Sequence, residues 1–202
     1  MLATVKPLCS NLPTPSTPYT RTAISLHWVI ASLIFAAFPL GVYMHGLSLS
    51  PDKLRLFSYH KWMGITVLLV AVVRVAWRFT HRPPELPGNM AAWERFAAML
   101  MHYLLYAIIF AIPLSGWIMS SATGLQTVWF GVLPLPDLVG RDKILGDYLL
   151  QVHQGLNIVL FALVVIHIAA ALKHHLVEHD SVLLNMLPRL LRRGSASGPM
   201  TG

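Results

Sequence analysis

The sequence predicts an all-α membrane protein built as a four-transmembrane-helix bundle. Of its 202 residues 55% are apolar and only 11% charged, and the mean hydropathy is +0.61, outside the range of soluble globular domains. Four apolar stretches each reach the about 20 residues that a helix needs to cross ~30 Å of hydrocarbon. This composition excludes a soluble enzyme with a Rossmann or barrel core. The one cysteine, Cys9, excludes a scaffold of intrachain disulfides. The net charge of +7 points to membrane orientation, not nucleic-acid binding, because the few cations flank or cap apolar spans.

In order, the spans run from about Ala23 to Met44, Phe57 to Phe79, Phe96 to Ser120 and Tyr148 to Leu172. Residues 1–20 are proline-rich and lack the charged start, apolar run and small-residue cleavage site of a signal peptide, so they read as a disordered tail. Residues 21–188 form the transmembrane domain. From Arg189 to residue 202 the chain is basic and then rich in Gly and Ser, and reads as a flexible tail. An even number of spans puts both termini on one side. That side carries Lys6, Arg21, Arg74, Arg78, Arg82, Arg95, Lys173, Arg189, Arg192 and Arg193, against Lys53, Arg55, Lys61, Arg141 and Lys143 on the other. The positive-inside rule makes both termini cytoplasmic.

A bundle held only by packing needs no imidazole inside, yet His27, His60, His102, His153 and His167 all fall in the spans. They form two layers by depth. His27, His102 and His167 lie toward the cytoplasmic ends of spans one, three and four, and His60 and His153 toward the opposite ends of spans two and four. His153 and His167 are 14 residues apart, about 21 Å along a helix and about 40° short of four full turns, hence nearly on one face. Span four thus presents two imidazoles, one near each surface, each with a depth-matched partner on another span.

Paired imidazoles on facing helices are how a bundle holds a b-type haem without covalent attachment, and two such pairs make a transmembrane electron path. Zinc competes poorly, because it wants four ligands and no Asp or Glu lies within the spans to supply them. A lone buried histidine also serves as an interhelical hydrogen-bond donor, and it is the pairing in depth that favours ligation. Spacing alone leaves His27 and His102 equal as partner of His167, the other then supporting a ligand from behind or carrying protons. His45, His81, His174, His175 and His179 sit at span ends or outside, as solvated imidazoles do. Gly64, Gly155 and the run Ala169 to Ala171 leave room for a flat porphyrin or simply for close helix packing.

These residues resemble the bacterial cytochrome b561 family, specifically its small four-helix diheme proteins, which include the superoxide oxidases. The likeness covers roughly Thr20 to Arg189. Its pieces are Ile24-Ser25-Leu26-His27-Trp28, His60-Lys61-Trp62-Met63-Gly64, Arg74 with Arg78, Pro113-Leu114-Ser115-Gly116, Trp129-Phe130-Gly131, then His153, His167, Lys173-His174-His175 and Met186-Leu187-Pro188-Arg189. The resemblance implies two haems b, the inner held by His27 and His167 and the outer by His60 and His153, with His102 not a ligand. It also implies an inner-membrane location and a quinone site at the cytoplasmic side, with His174 matching the family's histidine just beyond span four and a basic loop residue for which Arg82 is the candidate. The loop at 80–89 departs from the family in carrying one arginine and a glutamate, Glu85.

The outer loops place Lys53, Arg55, Lys61, Arg141 and Lys143 near the outer pair, where cations attract small anions such as superoxide. Asp52, Asp137, Asp142 and Asp147 in the same loops temper that field. Arg74 and Arg78 are placed either to pair with haem propionates or to snorkel to the inner surface, the latter suiting Arg78 better. The expected activity is superoxide oxidation coupled to ubiquinone reduction. The alternative is a non-catalytic cytochrome b subunit passing electrons to or from a redox partner protein, and a bare helical anchor without cofactor is the plainest reading. No residue is assigned as catalytic from the sequence.

Overall fold

Each long helix starts where a polar side chain can take up an orphan backbone N–H. The computed structural model describes residues 19–81, 90–178 and 182–187. Helix α1 spans Arg21–His45 and is capped by Thr20, whose hydroxyl accepts from the Ala23 amide at 3.2 Å. Helix α2, Pro51–Thr80, begins with Ser50 accepting from the Lys53 amide at 3.2 Å and with proline in its first turn, where no N–H is needed. In α3, Ala92–Ala122, the Glu94 carboxylate reaches back to accept from the Ala91 amide at 3.4 Å. Asp142 starts α4, Lys143–Leu176, by accepting from the Leu145 amide at 3.0 Å. A five-residue helix α5, Val182–Met186, follows.

All four long helices have the length and apolar composition to cross a membrane. The helices overrun the apolar stretches at both ends, since the caps and not the hydropathy set where backbone hydrogen bonding stops. Large apolar side chains point outward, among them Phe35 at 59% exposure and Phe161 at 56%. The buried cluster is small, centred on Ile30, Val67 and Ala71 with Leu33, Ile34, Val70, Ile109 and Phe110 packed on it. Lipid solvates such a surface, so little apolar area needs to turn inward.

Helix α1 packs along α2, α2 along α3 and α3 along α4. Helix α4 meets α1 through the stacked rings of Phe38 and Phe161, 5.5 Å apart, and through facing histidines. The loop between α3 and α4 folds back over one end of the bundle as a two-stranded antiparallel hairpin. Its strands are β1, Val128–Trp129, and β2, Leu133–Pro134, with Val128 opposite Pro134 and Trp129 opposite Leu133. Phe130 (φ 51°) and Gly131 (φ 71°) make the left-handed turn. The hairpin is tied to α2 by the Trp62 indole donating to the Val128 carbonyl at 2.7 Å and the Trp129 indole donating to the Thr66 hydroxyl at 3.2 Å. At the other end, where α1 begins and α4 finishes, the Trp28 indole donates to the Met186 carbonyl at 2.8 Å and anchors α5. The tails at 1–18 and 188–202, and Arg82 with the rest of its loop, lie outside the described residues.

Candidate functional site

At the hairpin end His60 of α2 and His153 of α4 face each other with ring centroids 6.2 Å apart and planes at 79°. Both rings are seated in the same way on a neighbouring helix. His60 Nδ1–H donates to the Ala37 carbonyl of α1 at 3.1 Å, and four residues on is Gly41, whose absent side chain would come within 3.1 Å of His60 Cε1. His153 Nδ1–H donates to the Ile112 carbonyl of α3 at 3.1 Å, and four residues on is Gly116, where a Cβ would again lie 3.1 Å from the imidazole Cε1. The Ser115 hydroxyl, 3.0 Å from the same Nδ1, adds to the second seat. With Nδ1–H donating, the free lone pair of each ring is on Nε2. Glycine lets each ring approach without crowding, with its Nδ1 on a backbone carbonyl one turn back.

Between these rings lies a cleft of about 90 Å³, partly open to the surface. Phe38, Ile65, Val67, Ile109 and Leu160 make much of its wall apolar, and Gly64 leaves a flat stretch with no protein atom within 4 Å of where its Cβ would be. Lys61 is on the wall as well, its ammonium donating to the Leu125 carbonyl at 2.8 Å. An apolar slot between two facing imidazole rings suits a flat, hydrophobic group bound through a metal.

At the opposite end three histidines converge. His27 of α1 and His167 of α4 have ring centroids 6.4 Å apart with planes at 61°, and His102 of α3 lies 5.6 Å from His167 at 87°. A metal between two imidazoles, with bonds of about 2.0–2.1 Å and each nitrogen about 1.1 Å from its ring centre, sets centroids roughly 6.3 Å apart. The pairs at 6.2 and 6.4 Å meet that spacing, and His102 with His167 falls short of it. Among the described residues no group of three or more His, Cys, Asp or Glu side chains closes on one point, as a structural zinc site would require.

Around this layer Arg74 donates to the Ala23 carbonyl at 2.8 Å and to the Tyr106 hydroxyl at 3.2 Å, and the Arg78 guanidinium lies 5.9 Å from the Tyr106 ring. Tyr19, just ahead of α1, has its phenol pushed above the ordinary range by burial, while Arg78 and Arg74 pull it the other way. At the end of α4, His174 Nδ1 is 2.6 Å from the Glu178 carboxylate, and Lys173 bridges Glu94 at 2.8 Å and Glu178 at 2.7 Å. His81 stacks on Trp77 at 4.0 Å, and His45 meets the Gln154 amide at 3.4 Å.

The cations of the hairpin end are mostly engaged. Lys53 donates to the Leu47 carbonyl, Arg55 pairs with Asp52 at 4.0 Å, and the Arg141 side chain packs over Gly124. Lys61 is the one of the five that lines the cleft. Sequence reasoning did not find the two carbonyl-and-glycine seats, although their shared spacing, Ala37 to Gly41 and Ile112 to Gly116, is visible in the chain.

Comparison with known proteins identifies the family. Residues 18–189 match the family described as prokaryotic cytochrome b561. Cytochrome b561 homolog 2 of Escherichia coli strain K12 is 31% identical over 170 residues, covering 84% of this chain and 90% of the relative. Cytochrome b561 homolog 1 of the same strain is 28% identical over 175 residues, 85% of this chain and 97% of the relative. A protein of Yersinia pestis named probable superoxide oxidase CybB is 25% identical over 181 residues, 85% of this chain and 96% of the relative. The chain belongs to the prokaryotic cytochrome b561 family and is a multi-pass bacterial membrane protein of electron transfer, for which the family implies b-type haem.

Proposed function

We propose, from membership of the prokaryotic cytochrome b561 family, that this chain is a diheme cytochrome that oxidises superoxide on one side of the inner membrane and reduces ubiquinone on the other. The observation that carries the two-haem reading is the pair of histidine spacings, 6.2 Å for His60 with His153 and 6.4 Å for His27 with His167, each the distance a shared iron needs. His60 and His153 hold the haem of the hairpin end, and His27 and His167 that of the opposite end. Both termini are cytoplasmic by the balance of Lys and Arg, which makes the hairpin end periplasmic.

When bound, the haems supply reversible one-electron chemistry at iron. Two superoxide anions giving up one electron each leave two dioxygen molecules, and one quinone taking two electrons and two protons becomes the quinol. The protein's part is to seat the four imidazoles, to keep the cleft apolar, and to attract the anion. Lys61, on the cleft wall at the hairpin end, is the cation best placed for attraction. At the cytoplasmic end His174, in contact with the Glu178 carboxylate, hands protons to the reduced quinone oxygens, with Glu178 exchanging them with the surface. The relative named probable superoxide oxidase supports the choice of superoxide as donor.

The test is to mix the oxidised, purified protein with superoxide and follow haem absorbance, with and without quinone. Fast haem reduction followed by quinone-dependent reoxidation is expected. Absence of fast reduction by superoxide overturns the enzyme reading in favour of a non-catalytic cytochrome b subunit that serves a redox partner protein.

A further inference from the structure

The third histidine of the cytoplasmic layer has a role that its spacing identifies. Two imidazoles joined directly by an N–H···N hydrogen bond of about 2.9 Å hold their centroids roughly 5.2 Å apart, against roughly 6.3 Å when a metal intervenes. His102 and His167, at 5.6 Å, fall between the two, about 0.4 Å wider than a direct bond and well inside the metal-bridged spacing. Their helices, α3 and α4, are also packed side by side, whereas His27 reaches His167 from α1 across the bundle. The tautomer of His102 follows from its own hydrogen bond. Its Nδ1 is 2.6 Å from the Ala98 carbonyl, which can only accept, so Nδ1 carries the proton and Nε2 bears a lone pair.

The other ligand of α4 has a back support of the same kind and from the same helix. His153 is held by the Ile112 carbonyl and the Ser115 hydroxyl of α3. Resting on the two-haem reading above, we infer that His102 is the positioning residue for the cytoplasmic haem. In the haem-loaded protein a closure of about 0.4 Å would bring its Nε2 to accept from His167 Nδ1–H, which would fix the His167 tautomer and leave His167 Nε2 for iron. An acceptor behind a ligating imidazole raises the basicity of that ligand, stabilises ferric iron and lowers the reduction potential. His102 thereby sets the potential of one haem and not of the other.

The experiment uses the full-length, haem-loaded protein and reads the two midpoint potentials by redox titration together with the low-spin electron paramagnetic resonance signals. His102→Phe, similar in shape and without an acceptor, keeps both haems bis-histidine and low-spin, raises the midpoint of the cytoplasmic haem and leaves the other in place. His102→Gln, whose side-chain oxygen can accept, returns it toward the parent value. Should His102→Phe yield no haem-bound protein, His102→Leu is read the same way. A cytoplasmic midpoint and signal unchanged by either apolar substitution overturn the inference. So does loss of that haem in every His102 variant while His27→Ala retains it, because His102 is then itself a ligand. A parent protein with one haem per chain instead overturns the two-haem reading beneath it.

Discussion

Gly116→Ala tests whether the haem proposed for the hairpin end, on the periplasmic side in that reading, depends on how His153 is seated. The added Cβ lies 3.1 Å from His153 Cε1 and 3.4 Å from Nδ1, and carbon atoms at rest keep about 3.5–4.0 Å. The imidazole therefore has to recede by a few tenths of an ångström, which lengthens and weakens the 3.1 Å bond from Nδ1 to the Ile112 carbonyl. Overpacking of this sort costs about 1–3 kcal/mol. Loss of the group that orients a metal ligand weakens the site about 10–100-fold, which is about 1.4–2.7 kcal/mol and of the same size. The assay is transfer of haem from the purified protein to an excess of a scavenging apoprotein. Release from the periplasmic site should quicken by about 10–100-fold, with the other haem retained at its parent rate. Gly41→Ala should act on His60 in the same manner, since its Cβ meets His60 Cε1 at the same 3.1 Å. Gly140→Ala, where an added Cβ meets nothing within 4 Å, is the silent control. Parent-like release from both Gly41→Ala and Gly116→Ala would refute the seating argument.

His153→Ala should leave about one haem per chain and remove the periplasmic one, and His167→Ala should remove the other, read from haem content and from which midpoint disappears. Retention of two low-spin haems in either variant refutes that ligand assignment. Lys61→Gln should slow haem reduction by superoxide by up to about tenfold at low salt and flatten its salt dependence, measured by stopped flow. An unchanged rate removes Lys61 from anion attraction. His174→Ala should leave haem reduction as fast as in the parent while quinone reduction falls by about 10²-fold or more, followed as quinol formation under a steady superoxide supply. Equal quinone turnover in that variant takes His174 out of the quinone site.

What was legible in the chain follows from how local the signals are. Hydropathy and length delimit α1 to α4, because a membrane span must be long, apolar and satisfied within its own backbone. The near-common face of His153 and His167 is a property of one helix's pitch, so it too can be read without a fold. Depth along each span paired His60 with His153 for the same reason. Helix ends were read less well, since Thr20, Ser50 and Asp142 cap them beyond the apolar runs. The hairpin at Val128–Pro134 and α5 are too short to show any periodicity, and their positions rest on Trp62, Trp129 and Trp28 reaching across the fold.

The sequence by itself determined that this chain is a four-span bundle carrying imidazoles in two layers, because span length, depth and helical phase are all set along one dimension. It could not separate His27 from His102, which lie at one depth on different spans. That choice depends on how far each helix stands from α4 and how it is turned, and it was the tertiary structure that put the His27 ring 6.4 Å from His167 and the His102 ring at a closer 5.6 Å. The seats at Ala37 with Gly41 and Ile112 with Gly116 belong to the same class. A glycine in a span is by itself only a small residue, and it becomes an imidazole's seat when a neighbouring helix brings the ring against it, a contact between residues 19 apart in one case and 37 in the other, which no local pattern encodes.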